Sequence, residues 1–183
     1  MKKKIVFIMN PISGTSSKAA VPSLIDSTLD KEQFEYEIKM TERPGHASEL
    51  AAEARDNHAD IVVAVGGDGT VNEVARSLVH SDSALGILPC GSGNGLARHL
   101  LLPMNLKKSI EIINACKIHD LDYGVINEYP FFCTCGMGFD AFVSMKFAES
   151  GKRGPISYAE NILREGLKYE PETYTLEDET GTI

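Results

Sequence analysis

No apolar run in the chain approaches the ~18 residues of a membrane span, so any membrane contact is expected to be peripheral. The opening Met1-Lys2-Lys3-Lys4 has the charge of an export signal, but only Ile5 to Met9 follow before Asn10 and Pro11. That run is too short for a secretory signal and reads as a first strand. Basic charge is scarce: 18 Lys and Arg stand against 26 Asp and Glu, a formal net charge of −8. A net anion repels phosphate backbones, which excludes general nucleic-acid binding. Cysteine is sparse too. Cys90, Cys116, Cys133 and Cys135 lack a paired metal-ligand spacing and read as buried thiols in a reducing cytoplasm. Three signatures are missing: a GxxxxGK[ST] loop, a GxGxxG after the first strand, and a GxSxG elbow. Their absence removes the Walker A folds, the usual dinucleotide fingerprint and the hydrolase elbow.

What remains is a globular chain. Its 183 residues suit one domain, or one domain plus a fragment, at ~100–200 residues per domain. Strand-like and helix-like segments alternate. Ile5–Met9, Phe34–Met40, Ile61–Val65 and Leu85–Leu88 read as strands. Lys18–Leu29, Ala47–His58, Val71–Val79 and Leu106–Cys116 read as helices. This order predicts an α/β fold: a parallel sheet with helices on both faces. After Lys117 the character changes. Strands are expected over Asp120–Ile126 and Phe131–Cys135, joined by a turn at Asn127–Pro130. Helices are expected from Asp140 and over Ile156–Tyr169, then a strand over Thr173–Leu176 and a turn at Asp178–Gly181. The return strand would begin at Thr182, so the chain reads as the front part of a longer protein. The expected division is residues 1–122 and 123–183.

Four polar loops follow the strands. The most informative is Gly66-Gly67-Asp68-Gly69-Thr70, between a fully apolar strand and a helix. Glycines let a backbone approach phosphate closely, and a helix start adds free N–H groups and partial positive charge. A carboxylate there repels phosphate unless a cation bridges the two, and Mg²⁺ commonly does so. The plainer reading makes Asp68 a turn former and Thr70 with Glu73 a capping box. The other loops are Asn10-Pro11-Ile12-Ser13-Gly14, Thr41 through Ala47, and Leu88 through Ala97 with Gly91, Ser92, Gly93 and Asn94. Thr41 is read as a nucleotide contact and His46 as solvated. One such loop is an ordinary turn; four at successive strand ends point to a phosphate ligand.

These motifs resemble the catalytic domain of the diacylglycerol kinase and sphingosine kinase superfamily, more distantly related to NAD kinases. The likeness runs through Asn10-Pro-x-Ser-Gly14, Thr41 with Gly45-His46-Ala47, Gly66-Gly-Asp-Gly-Thr70 with Asn72-Glu73, and Leu88-Pro-x-Gly-Ser-Gly-Asn94. It continues into Asp122-x-Gly-x-x-Asn127 and Gly138-Phe-Asp-Ala141. The resemblance implies an ATP-binding α/β kinase domain over residues 1–122, then the incomplete start of a β-sandwich, lipid-binding domain over 123–183. It implies transfer of the γ-phosphate of ATP, with Mg²⁺, to a hydroxyl of a diacylglycerol-like or sphingoid lipid. By this resemblance Asn10, Pro11, Ser13, Gly14, Thr41, Gly66, Gly67, Asp68, Gly69, Thr70, Asn72, Glu73, Gly91, Ser92 and Asn94 line the nucleotide. Asp68 is the catalytic residue, and Asp68 and Asp122 serve the metal.

Further acidic ligands and a glutamate base lie late in the family's second domain, so this chain alone is expected to be inactive. The fourth loop departs from the bacterial Gly-Thr-x-Asn-Asp pattern toward the sphingosine and ceramide kinase branch, which leaves the acceptor lipid open. The alternatives are a soluble NAD-kinase-like enzyme and a nucleotide-binding module without catalysis. Expected partners are ATP, a lipid acceptor and a membrane surface at the inner face of a cytoplasmic membrane; a homodimer is allowed. Arg98, His99, Lys107, Lys108, Lys146, Lys152 and Arg153 read first as solvated charges, with a face toward anionic lipid as the alternative.

Overall fold

The structure is a computed structural model, and it describes residues 2–14, 18–149, 162, 169–178 and 180–182. The chain divides into two compact units, residues 1–134 and 135–183.

The first unit is built on four parallel strands: β1 (Lys3–Met9), β2 (Phe34–Met40), β3 (Ile61–Gly66) and β4 (Ala84–Pro89), in the order β2-β1-β3-β4. Side chains alternate across a strand, so an all-apolar strand needs cover on both faces. Val6, Ile8, Val62, Ala64 and Ile87 enter one core with α2 (His46–Asp56), α3 (Asp68–Leu78) and the short α4 (Gly95–His99). Ile5, Phe7, Met9, Ile61, Val63, Val65 and Leu88 enter the other with α1 (Val21–Thr28) and α5 (Leu106–Ala115). The parallel sheet with helices on both faces is as expected. β2 is an edge strand, and its Glu35, Glu37 and Lys39 share the sheet face that α2 covers, where Lys39 Nζ donates to Glu53 Oε1 at 2.8 Å; charged side chains on an edge strand discourage edge pairing.

The chain runs from β1 outward to β2, then back across β1 to β3. The strand order therefore reverses between β1 and β3. In open α/β sheets ligands bind beyond the carboxyl ends of the strands at such a reversal. Here those ends are the loops after Met9 and Gly66.

Local chemistry sets the element limits. α1 starts at Val21, three residues later than periodicity suggests, with Pro22 in its first turn, where no backbone N–H is required. The Asn105 side chain caps α5 by accepting from Lys108 N at 3.1 Å. The hairpin of β5 (Gly124–Ile126) and β6 (Tyr129–Phe131) is shorter than the expected strands and stays with the first unit. Arg76 Nε donates to the Pro130 carbonyl at 2.9 Å, and Tyr123 Oη pairs with His80 Nε2 at 2.9 Å. The division thus falls twelve residues beyond the boundary expected at Asp122.

The buried-thiol expectation is corrected: Cys133 and Cys135 are exposed, lying past the end of β6, while Cys90 and Cys116 are half-buried.

In the second unit, α6 (Phe139–Glu149) begins one residue ahead of the expected helix, and Phe139 and Phe142 meet Tyr169 at ring distances of 5.4 and 5.5 Å. The strand expected over Thr173–Leu176 is instead β7 (Glu177–Asp178), paired with β8 (Gly181–Thr182). Asp178 fixes that turn by accepting from Thr180 N, Thr180 Oγ1 and Gly181 N. The Ile156–Tyr169 helix lies almost wholly outside the described residues.

Candidate active site: four strand-end loops around helix α3

Helix α3 is the hub. It follows β3 with Gly67 as its N-cap, and its first ladder bond is Val71 N to Gly67 O at 3.0 Å. The N–H groups of Asp68, Gly69 and Thr70 precede that bond and have no carbonyl partner within the helix. They give this end of α3 the positive pole of its dipole.

The loops after β3 and β4 touch backbone to backbone. A Cβ on Gly91 would lie 2.3 Å from Gly67 Cα, and one on Gly67 would lie 3.0 Å from Gly91 Cα. Gly91 admits no side chain without a backbone shift, and a side chain on Gly67 would need Gly91 to give by a few tenths of an ångström. The loop after β1 closes on the same place: Gly14 has φ +72°, and a Cβ there would lie 2.1 Å from the Cys90 carbonyl oxygen. Asn10 spans the gap to α3, its Nδ2 donating to Thr70 Oγ1 at 3.4 Å, while its Oδ1 accepts from Ile12 N at 3.0 Å. Asn94 makes the turn after β4 rigid. It is buried with φ +54°, accepts from Gly91 N at 2.8 Å and donates to Gly91 O at 2.8 Å.

Two carboxylates on α3 tie it to neighbouring loops. Asp68 Oδ1 accepts from Gly95 N, the first residue of α4, at 2.6 Å. Its Oδ2 accepts from no group among the described residues and lies 2.9 Å from where a Gly93 Cβ would sit. Glu73 reaches the other way. Its Oε1 accepts from Gly45 N at 3.1 Å and its Oε2 from Ala47 N at 3.2 Å, at the start of α2. The capping-box expectation is therefore corrected. Because Gly67 is the N-cap, Thr70 is buried inside α3, and Glu73 satisfies the orphan donors of another helix.

A family model, the diacylglycerol kinase catalytic domain, matches residues 4–126. The chain belongs to that family. A diacylglycerol kinase of Staphylococcus saprophyticus is 32% identical over 163 residues, 86% of this chain and 53% of its own length. A Streptococcus pneumoniae protein whose name places it among lipid kinases is 30% identical, over 98% of this chain and 62% of its own length. The crystal structure of a diacylglycerol kinase from Bacillus anthracis aligns with a TM-score of 0.61 at 24% identity, over 70% of this chain and 48% of that one. That likeness shows the shared fold. The chain spans about half to three-fifths of the length of these relatives.

Within this diacylglycerol-kinase-type fold, the structure brings together Asn10, Gly14, Gly67, Asp68, Thr70, Gly91 and Asn94 through the contacts above, and Gly66 joins them by accepting from Cys90 N at 2.8 Å. Thr41 is buried at the end of β2, its N–H donating to Met9 O at 2.9 Å. Pro11 and Ser92 are exposed, and Ser13, Asn72 and Glu73 are half-buried. Asp122 is exposed just ahead of β5. No cluster of three or more His, Cys, Asp or Glu suited to a metal occurs among the described residues. Asp68 still suits a hard cation held between protein and phosphate, because such a site needs only one or two carboxylates.

Sequence reasoning missed Lys18. It lies ahead of α1, is 7% exposed, and its Nζ donates to the Ser13 carbonyl. Burial pulls its pKa below the usual lysine range, and burial likewise pushes the Cys90 thiol up. Only the apolar neighbours at Ala19-Ala20-Val21 hinted that this lysine points inward.

Glu73→Ala should cost about 1–3 kcal/mol, since two N–H groups lose their partner at a half-buried position. Urea unfolding measures it; an unchanged midpoint would show that the clamp carries no stability.

Proposed function

We propose that this domain binds Mg·ATP at the β1/β3 reversal and directs its γ-phosphate to the hydroxyl of a diacylglycerol-like or sphingoid lipid. The observation that carries the reading is Gly69. It stands in the first turn of α3 with ordinary φ, and a Cβ there would meet nothing within 4 Å. Glycine in a helix is worse than alanine by about 1 kcal/mol. With no close neighbour to require it, its bareness suits close approach of a ligand to the helix start.

The chain's own residues then divide the work. The N–H groups at the start of α3 hold phosphate oxygens, and the loop after β1 closes over them with Asn10, Pro11, Ser13 and Gly14. Thr41, Asn72 and Ser92 contribute polar contacts, and Glu73 keeps the start of α2 in place beside them. Asp68 holds the cation that accompanies the phosphates, and Asp122 extends that acidic environment. Bound magnesium supplies charge neutralisation and lets a carboxylate share a site with phosphate. A lipid alcohol does not ionise near neutral pH. A carboxylate must assist its proton loss; within this chain Asp68 is the candidate among the glycine loops, beside the glutamate base that the family resemblance puts in the second domain. An acceptor of this kind brings the enzyme to the cytoplasmic face of a membrane as a peripheral partner; among the described residues no helix is long and apolar enough to cross one.

The test is an assay on the complete protein with γ-labelled ATP and three acceptors: diacylglycerol, sphingosine and NAD. Label is expected in a lipid and not in NAD. Label in NAD overturns the lipid acceptor, and ATP binding without transfer to any acceptor overturns catalysis.

A further inference from the structure

Helix α4 ends in an unusual way. Leu101 N donates to Arg98 O at 3.0 Å, and Leu102 N donates to Ala97 O at 2.8 Å. Together these two bonds form the Schellman closure, whose left-handed residue is usually glycine. Here it is Leu101, with φ +57°. Among the described non-glycine residues with positive φ, Leu101 alone has an aliphatic side chain. It is also 89% exposed, more than any other large hydrophobic residue described, and Leu100 before it is 38% exposed. The position thus carries a disfavoured backbone that glycine would relieve, and it leaves a large apolar side chain without burial.

Charge singles out the same stretch. From Ser83 to Ile110 there is no Asp or Glu, in a chain with 26 of them. Arg98 and His99 precede the leucines and are exposed; Lys107 and Lys108 follow in the first turn of α5 and are also exposed. Met104, between them, is 36% exposed. An apolar tip flanked by cations on an acidic protein is complementary to an anionic bilayer surface.

We propose that the Leu100–Leu101 turn is a membrane-docking tip: Leu101 enters the interfacial layer of an anionic bilayer while Arg98, His99, Lys107 and Lys108 face its headgroups. α4 links this tip to the site. It begins at Gly95, whose N–H is held by Asp68, and Arg98 Nε donates to the Gly93 carbonyl at 2.9 Å. Five helical residues rise about 7.5 Å, so docking holds the glycine loops close to the lipid surface. The biological purpose rests on the lipid-acceptor reading; the physical claim of docking does not.

The test is co-sedimentation of the chain with phosphatidylglycerol vesicles and with phosphatidylcholine vesicles, alongside calorimetric titration with Mg·ATP. Wild type should bind the anionic vesicles, with binding weakened by salt. Leu101→Gly should raise the melting temperature, because glycine suits the left-handed position, and lower vesicle binding about tenfold. Lys107→Gln with Lys108→Gln should lower it about fivefold per lysine removed. Equal binding by wild type and Leu101→Gly overturns the proposal, as does equal binding to the two vesicle types. A concentration-dependent dimer abolished by Leu101→Gly, with no vesicle binding, overturns it in favour of an interface between copies. Vesicle binding that behaves as expected while Mg·ATP gives no heat sustains the docking tip and removes the kinase reading.

Discussion

Gly91→Ala is expected to lower the unfolding free energy by about 2 kcal/mol and weaken Mg·ATP binding tenfold or more. The added methyl would lie 2.3 Å from Gly67 Cα and 2.8 Å from Asn94 Oδ1. Neither neighbour can yield by rotating a flexible side chain. Gly67 is backbone at the mouth of α3, and Asn94 is buried and bonded twice to Gly91 itself. The loop after β4 must therefore move by about 1 Å away from β3. Overpacking of this kind costs about 1–3 kcal/mol. A 1 Å displacement in a phosphate-holding loop can cost about a hundredfold in rate. The matched control is Gly69→Ala, which meets no atom within 4 Å. It should stabilise the fold by up to about 1 kcal/mol through helix propensity and still impair nucleotide binding. Urea unfolding and titration calorimetry on both variants separate the two roles. If Gly69→Ala binds nucleotide as wild type does, the open space over α3 is not a ligand's.

The framework of this site was legible because it is written in local patterns. Strand β2 begins and ends where alternation places it, at Phe34 and Met40. β1 and β3 announce themselves as unbroken apolar runs, because both their faces are covered. Glycine placement then located the loops, since a glycine between strand and helix has few other uses. Less legible was everything that depends on which residues meet across long sequence separations. Glu73 sits three residues after Thr70 and so imitates a capping box, yet its carboxylate reaches Gly45 and Ala47 on another helix. Lys18 looks like a surface residue at a helix start, but the Ser13 carbonyl draws its ammonium inward. The short α4 leaves no periodic signal in five residues, and the left-handed turn at Leu101 has no signal at all, because leucine is not a turn residue. The later part of the chain was harder still: at β7 and β8 the pairing is two residues deep, set by one aspartate rather than by an apolar rhythm.

Asp68→Asn is expected to leave the fold intact and abolish lipid phosphorylation by the complete protein, a loss of at least a hundredfold. The substitution separates the fastening of α4 from the catalytic role proposed for the same carboxylate. Structurally, Asp68 Oδ1 accepts from Gly95 N at 2.6 Å and so fastens α4 to α3. An asparagine oxygen accepts the same bond, so the cost to stability is only the charge assistance, about 1 kcal/mol or less. Electrostatically the variant is a different object. It removes the negative charge that would hold a divalent cation against phosphate, and the acceptor proposed for a proton leaving the lipid alcohol. Asp68→Ala completes the comparison, since it removes both roles and should lower stability further than Asn does. If Asp68 served only as a fastener for α4, Asn would keep most of the activity and Ala would lose it. If the carboxylate serves the transferred phosphate, Asn and Ala fail alike in turnover while differing in melting temperature. Phosphate transfer at the wild-type rate by Asp68→Asn would remove Asp68 from the chemistry and leave it as the clasp between two helices.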